Sequence, residues 1–185
     1  QSNILMKAEE IGLPLEKGSP QAKAVLTKVK EQEKEGYSYE AAGGSLELLI
    51  RKEIGRHEKR WALREYQCNF RQYRDGHNPV CEATVKMEVD GVGEYTASEG
   101  HGVVNALDKA LRQALMPHFP AIEGVSLIDY KVRIVDGHAA TAAKTRVQIV
   151  HTNGERTWGT VGVSDSIIEA SWIALTDGID LFLQR

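Results

Sequence analysis

The sequence predicts an α+β fold. Two pseudo-symmetric strand-strand-strand-helix units form a two-layer domain over residues 61–185, preceded by a small helical arm over residues 1–56. Three observations predict it. Apolar residues recur at helical spacing up to about Gly55 and with a period of two from Trp61 onward. The pattern of residues 61–116 returns over 125–183: Tyr130, Val132 and Ile134 take the places of Tyr66, Cys68 and Phe70, and Asn153-Gly154 takes the place of Val92-Gly93. The connections inside each unit are short turns, which suit antiparallel pairing.

In the arm, a first helix covers about Ile4 to Ile11 and stops at Gly12, with Pro14 beyond it. Ser19-Pro20 starts the next helix, with serine at the N-cap and proline at the first helical position. That helix carries Ala22, Val25, Leu26 and Val29 on one face and runs through the charged stretch 30–35 to Gly36, a helix terminator. The charged stretch reads as a solvated face. Residues 37–44 are a connector, with Gly43-Gly44 a candidate hinge. Ser45 then caps a third helix with the stripe Leu46, Leu49, Ile50 and Ile54. The arm has few apolar residues and is expected to pack on something else in the parent protein.

In the first repeat, Tyr66, Cys68 and Phe70 share one strand face, as do Ala83, Val85, Met87 and Val89 on the next strand. Asp90-Gly91-Val92-Gly93 signals a hairpin into a third strand over about Glu94 to Ser98. After Gly100-His101-Gly102 comes a helix with Val104, Leu107, Ala110, Leu111, Ala114 and Leu115 inward, ended by Pro117. In the second repeat, a strand with Tyr130, Val132 and Ile134 leads through Asp136-Gly137 and an alanine-rich loop. A strand with Ala143, Thr145, Val147 and Ile149 follows. A sixth strand spans about Thr157 to Val163. The last helix places Ile168, Trp172, Leu175, Ile179 and Phe182 at helical spacing, and Ser166 with Glu169 fits a capping box. One face of each sheet takes a helix, and the alternation leaves the other polar. Exposed edge strands make a symmetric dimer a reasonable expectation.

Composition narrows the function. The 185 residues are 42% hydrophobic and 26% charged, ordinary for a globular chain, and the net charge of −3 gives no case for nucleic acid or an anionic membrane as partner. No apolar run approaches the length of a spanning helix. Cys68 and Cys81 read as reduced thiols of a cytoplasmic protein, with a bridge between adjacent strands the alternative. The six histidines show no metal-ligand spacing. The chain enters a helical pattern at once, without an initiator methionine, and reads as a piece of a longer protein.

Neither a Gly-x-Ser-x-Gly elbow, nor a phosphate loop, nor a metal-binding helix is present. The turn Gly100-His101-Gly102 opens a helix, whose free N–H groups can take an anion such as a carboxylate; the alternative is that the glycines only permit a tight turn. His101 reads as a turn residue. Trp172 reads as core, Trp158 as a partly exposed strand residue, and Tyr130 as core with a hydroxyl that needs a partner.

Several strings carry a resemblance. Residues 2–4 and 7–13 resemble the segment that follows the catalytic barrel in citramalate synthases, and residues 39–49 resemble the linker of the same enzymes. Residues 82–85, 102–108, 129–133 and 158–164 resemble their carboxy-terminal regulatory domain. These enzymes belong to the isopropylmalate/homocitrate synthase family. The resemblance implies that residues 1–56 are linker subdomains and 61–185 an effector-binding, dimerising domain. It implies a parent enzyme that condenses pyruvate with acetyl-CoA in isoleucine biosynthesis. Its divalent metal and acetyl-CoA would sit in an amino-terminal barrel that this chain lacks, so the chain itself would hold no cofactor and no catalytic residue. The implied effector is isoleucine, with leucine the alternative if the parent is a 2-isopropylmalate synthase. A purely structural dimerisation module is a further alternative. The family pattern matches the pocket to Leu127, Tyr130 and Ile134, with Gly100, Gly102 and Thr141 alongside. The helix starts after Gly102 and at Ser164, Asp165 and Ser166 would supply donors. In a regular strand Leu127 faces away from Tyr130, so this assignment requires a bulge or a strand start between them.

Overall fold

The computed structural model describes residues 2–135 and 143–185. The elements run α1 (Ser2–Glu10), α2 (Pro20–Lys34), α3 (Gly43–Glu53), β1 (Trp61–Arg71), β2 (Val80–Val89), β3 (Val92–Gly100), α4 (Val103–Leu115), a 3-10 turn (Pro120–Gly124), β4 (Ser126–Ile134), β5 (Thr145–Thr152), β6 (Thr157–Ser164) and α5 (Ile167–Gln184). Two three-stranded sheets, ordered β1-β2-β3 and β4-β5-β6, are each followed by a helix. This is the α+β pattern that the repeat predicts. The Asp136-Gly137 turn and the alanine-rich loop lie outside the described residues. The chain divides into two compact units, Lys59–Ser126 and Gln1–Glu58 with Leu127–Arg185.

In the 59–126 unit, β2 pairs antiparallel with both neighbours, setting Tyr66 opposite Val85 and Val85 opposite Thr96. A bulge between Leu63 and Glu65 makes Arg64 the extra residue, so Leu63 and Tyr66 both lie on the helix side of the sheet. Helix α4 buries Ala106, Leu107, Ala110, Leu111, Ala114 and Leu115, and β2 buries Ala83, Val85, Met87 and Val89 on the side α4 covers. Each fully buried leucine contributes roughly 1.5–3 kcal/mol relative to exposure. The opposite face is polar, as expected. It carries the ion pairs Arg71–Glu82 and Lys86–Glu65, both at 2.6 Å, and Arg64–Glu88. Such exposed pairs are worth about 0–1 kcal/mol each and serve mainly to keep the face wet.

In the other unit, α5 covers the sheet face that holds Val147, Ile149, Thr160 and Trp158, all buried. The second face is not polar, which corrects the expectation from alternation. Val161 points away from α5 and joins a core with Val25, Val29, Tyr39, Ala42, Leu46, Leu49 and Ile50 of the helical arm. The arm's apolar stripes thus lie on β6, and that strand is covered on both faces. Trp158 is buried, not partly exposed, and its Nε1 donates to the Gly178 carbonyl at 3.0 Å.

The caps divide by their cause. Ser19 caps α2 as expected, its hydroxyl accepting from the Ala22 N–H at 3.1 Å. Ser45 does not cap α3. That helix begins at Gly43 after Ala42, and Ser45 lies buried inside it. A Cβ on Gly159 would overlap the Ala41 carbonyl oxygen, so the glycine is what lets the backbone before α3 sit directly on β6. At this helix start Gly44 is packed against the Gly159 carbonyl, while Gly43 is exposed.

Candidate functional site

The sequence-predicted site residues fall on three features. The first is the start of α4 in the 59–126 unit. A Cβ on Gly100 would overlap Ala106 N of α4's first turns, so Gly100 permits β3 to run close under the helix. Gly102 is the N-cap, in extended backbone, with no side chain to cap the helix and open space around its Cα. Asn105 Oδ1 accepts from the His101 N–H at 3.1 Å, which fixes His101 as a turn residue. The first turn of α4 contains no acid. Its N–H groups and the positive end of the helix dipole suit a carboxylate.

The second feature is the start of α5. Ser166 caps it, its Oγ accepting from the Glu169 N–H at 3.4 Å. The capping box closes through an intermediary. The Ser166 N–H donates to Ser164 Oγ at 3.1 Å, and Ser164 Oγ donates to the Glu169 carboxylate. Two donors of this helix start are thereby used internally, and Glu169 already sets a negative charge on the dipole. Asp165 beside it is exposed. With two carboxylates, this end offers acceptors to an ammonium group more readily than donors to an anion.

The third feature is β4. Ile128 is 58% exposed, Tyr130 39%, Val132 41% and Ile134 68%, while Leu127 and Asp129 are half-buried. The alternation is that of a regular strand, which sets Leu127 on the face opposite Tyr130 and Ile134. Tyr130 reaches toward α5, its hydroxyl 2.8 Å from Ser171 Oγ. Ser171 gives its own hydrogen to the Ile167 carbonyl at 2.6 Å, so Tyr130 is the donor of the pair. Thr141 lies outside the described residues. Ser171 is the partner that sequence reasoning missed, since one serine on a helix carries no signal of what it meets.

The three features offer backbone donors, carboxylate acceptors and apolar surface for binding. Cys68 and Cys81 are free thiols on one face of the β1–β2 pair, and burial raises the Cys68 pKa. Among the described residues no group of three His, Cys, Asp or Glu side chains could hold a metal, and no helix is long and apolar enough to cross a membrane.

Residues 40–183 match the family described as the LeuA allosteric (dimerisation) domain. The chain belongs to that family. The match spans the whole of the arm's last helix and both repeats of this LeuA-type domain. The (R)-citramalate synthase of Aquifex aeolicus (strain VF5) is 49% identical over 179 residues, covering 97% of this chain and 34% of that relative. The (R)-citramalate synthase of Geobacter sulfurreducens is 40% identical over 185 residues, covering 100% of this chain and 35% of that relative. A 2-isopropylmalate synthase of Aquifex aeolicus is 33% identical over 114 residues, covering 62% of this chain and 20% of that relative. The chain spans about a third of the length of the curated citramalate synthases it matches.

Proposed function

We propose that this LeuA-type domain is the regulatory part of a citramalate synthase, that it binds isoleucine, and that binding inhibits condensation of pyruvate with acetyl-CoA by the rest of the enzyme. The observation that carries the proposal is coverage. Five relatives named (R)-citramalate synthase align over 97–100% of the chain, arm included, at 34–49% identity. The relative named 2-isopropylmalate synthase aligns over 62% of it. The chain acts in the cytoplasm as a homodimer, and the metal and acetyl-CoA belong to the parent's catalytic part.

An aliphatic amino acid presents a carboxylate, an ammonium group and a branched side chain. Taken by itself, the uncapped, acid-free start of α4 at Gly100–Gly102 in the 59–126 unit has donors of the kind a carboxylate needs; the other two features belong to the second unit. Asp165 and Glu169, at the start of α5 beside Ser164 and Ser166, have the acceptors an ammonium needs. Tyr130 and Ile134 on β4 supply the apolar floor; Leu127, on the opposite strand face, is not part of it, and Thr141 lies outside the described residues. Inhibition follows if the effector prefers one arrangement of this domain over another, since a ligand moves an equilibrium only through differential affinity.

Calorimetry of the purified chain with isoleucine, leucine and valine tests the reading. Isoleucine is expected to give saturable heats and to bind roughly 10- to 200-fold tighter than leucine, the range a single displaced methyl commands in a hydrophobic pocket. The reverse order would assign a leucine sensor. Flat heats for all three would leave a purely structural dimerisation module.

A further inference from the structure

The seam between α3 and α5, within the larger unit, holds a cluster of ionisable groups that the effector reading does not use. Ser45 on α3 donates to Asp177 Oδ2 on α5 at 2.9 Å. The same hydroxyl accepts from the Val161 N–H of β6 at 3.0 Å. One serine therefore joins three elements, and Asp177 is the acceptor at the end of the relay. The seam is tight: Ser45 is buried, and Gly159 meets the Ala41 carbonyl without room for a methyl group. Further along, His57 Nε2 lies 2.8 Å from Asp180 Oδ2, and Gln184 bonds both the N–H and the carbonyl of Glu58 at 2.9 and 2.8 Å.

We propose that the Ser45–Asp177 relay is a proton-operated latch that sets how firmly the α3 arm is held on α5 and β6. The charged and titratable groups that face Asp177 are Lys52 on α3, His57 beyond it, Asp180 on α5, and Tyr37 and Tyr39 ahead of α3. Among the described residues no cation bonds Asp177 directly; Lys52 acts on it through space. Burial pushes the Asp177 carboxyl up to about 6, against the pull of Lys52 and of the Ser45 bond. Tyr37 and Tyr39 are likewise raised, first by burial and then in part by Asp177.

The sign follows from linkage. A carboxyl with a raised value in the closed seam binds its proton more tightly there than when the seam opens to water. Closure is therefore strengthened as pH falls through about 6 and is weakest above it, where the closed seam holds an unpaired charge. Asp177 keeps part of its surface in contact with solvent, so the effect is set at roughly tenfold in the closed-to-open ratio. Because the latch acts on the seam itself, it is independent of which amino acid the domain binds.

Amide hydrogen exchange of the whole 185-residue chain between pH 5 and 8, corrected for intrinsic exchange, tests the latch alongside a carboxyl-carbon NMR titration of Asp177. Amides of residues 43–53 are expected to lose roughly tenfold protection as pH rises through 6, with residues 59–126 unchanged. Asp177→Asn keeps the acceptor for Ser45 and is expected to abolish the pH response. An Asp177 carboxyl that titrates below pH 4.5, a response that persists in D177N, or a loss spread equally over both units would overturn the proposal. The NMR titration needs no variant and decides the case if D177N fails to fold.

Discussion

Gly162 faces α5 from the middle of β6, where its missing side chain fixes how close helix and sheet can come. A Cβ there would overlap the Ala170 carbonyl oxygen, a backbone atom that cannot swing aside. Gly162→Ala is therefore expected to destabilise the chain by about 1–3 kcal/mol through forced separation of α5 from β6. Gly93→Ala is the control. It adds a methyl group where nothing lies within 4 Å, and its effect is expected to stay within about 0.5 kcal/mol. Urea denaturation of both variants checks the pair; equal midpoints would show that α5 relaxes away from β6 at little cost. At this scale the sequence is half-legible. Tyr130 could be placed on a strand face by alternation alone, and the need of its hydroxyl for a partner follows from its chemistry. That the partner is Ser171 depends on where α5 crosses the sheet, which no local pattern encodes.

Elements were legible where their ends are decided locally. Ser19-Pro20 and Ser166 with Glu169 are cap signals whose bonding partners lie within three residues, and both helices begin as those signals predict. Ser45 carries the same residue type before a similar apolar stripe, yet it bonds Asp177 and the Val161 N–H, far away in sequence. A tertiary role overrode the local one, because the glycines ahead of it let α3 start earlier and press onto β6. The two serines are distinguishable by energy. Ser166→Ala is expected to cost about 1 kcal/mol, the ordinary loss of an N-cap. Ser45→Ala leaves the buried Val161 N–H unsatisfied and is expected to cost about 1–3 kcal/mol. Thermal melts of the two variants at one pH make the comparison, and an S45A variant less perturbed than S166A would place Ser45 outside the packing of the seam. Glu47 on the same helix is 3% exposed and bonds Arg51 and Arg185 at 2.9 and 2.6 Å. Burial opposes its ionisation, and the bonds to Arg185 and Arg51 nonetheless hold its carboxyl below the usual range. Nothing in its heptad position distinguishes it from a solvated glutamate, which is why the sequence shows the helix but not its polar anchors.

On the scale of the whole molecule, the α5 face of the second sheet is covered over β5 and β6 and left open over β4. An edge strand with isoleucines 58% and 68% exposed on one face, flanking a tyrosine and a valine, is a liability in a monomer. We expect a second copy of the chain to cover it, in keeping with the family's description as a dimerisation domain. In a twofold interface every substitution acts twice, so two isoleucines represent four buried side chains, each worth roughly 1.5–3 kcal/mol. Partial burial in the single chain reduces that gain, and the double variant Ile128→Lys/Ile134→Lys is expected to weaken self-association by roughly a thousandfold or more. Because both side chains lie outside the core of their unit, the fold of the single chain is expected to change by no more than about 0.5 kcal/mol. Sedimentation equilibrium reads association and circular dichroism reads folding. The wild-type chain should sediment as a dimer and the double variant as a folded monomer. A wild-type monomer, or a double variant that still pairs, would remove β4 from the interface and leave its exposed stripe to be explained by the part of the relatives that this chain does not span.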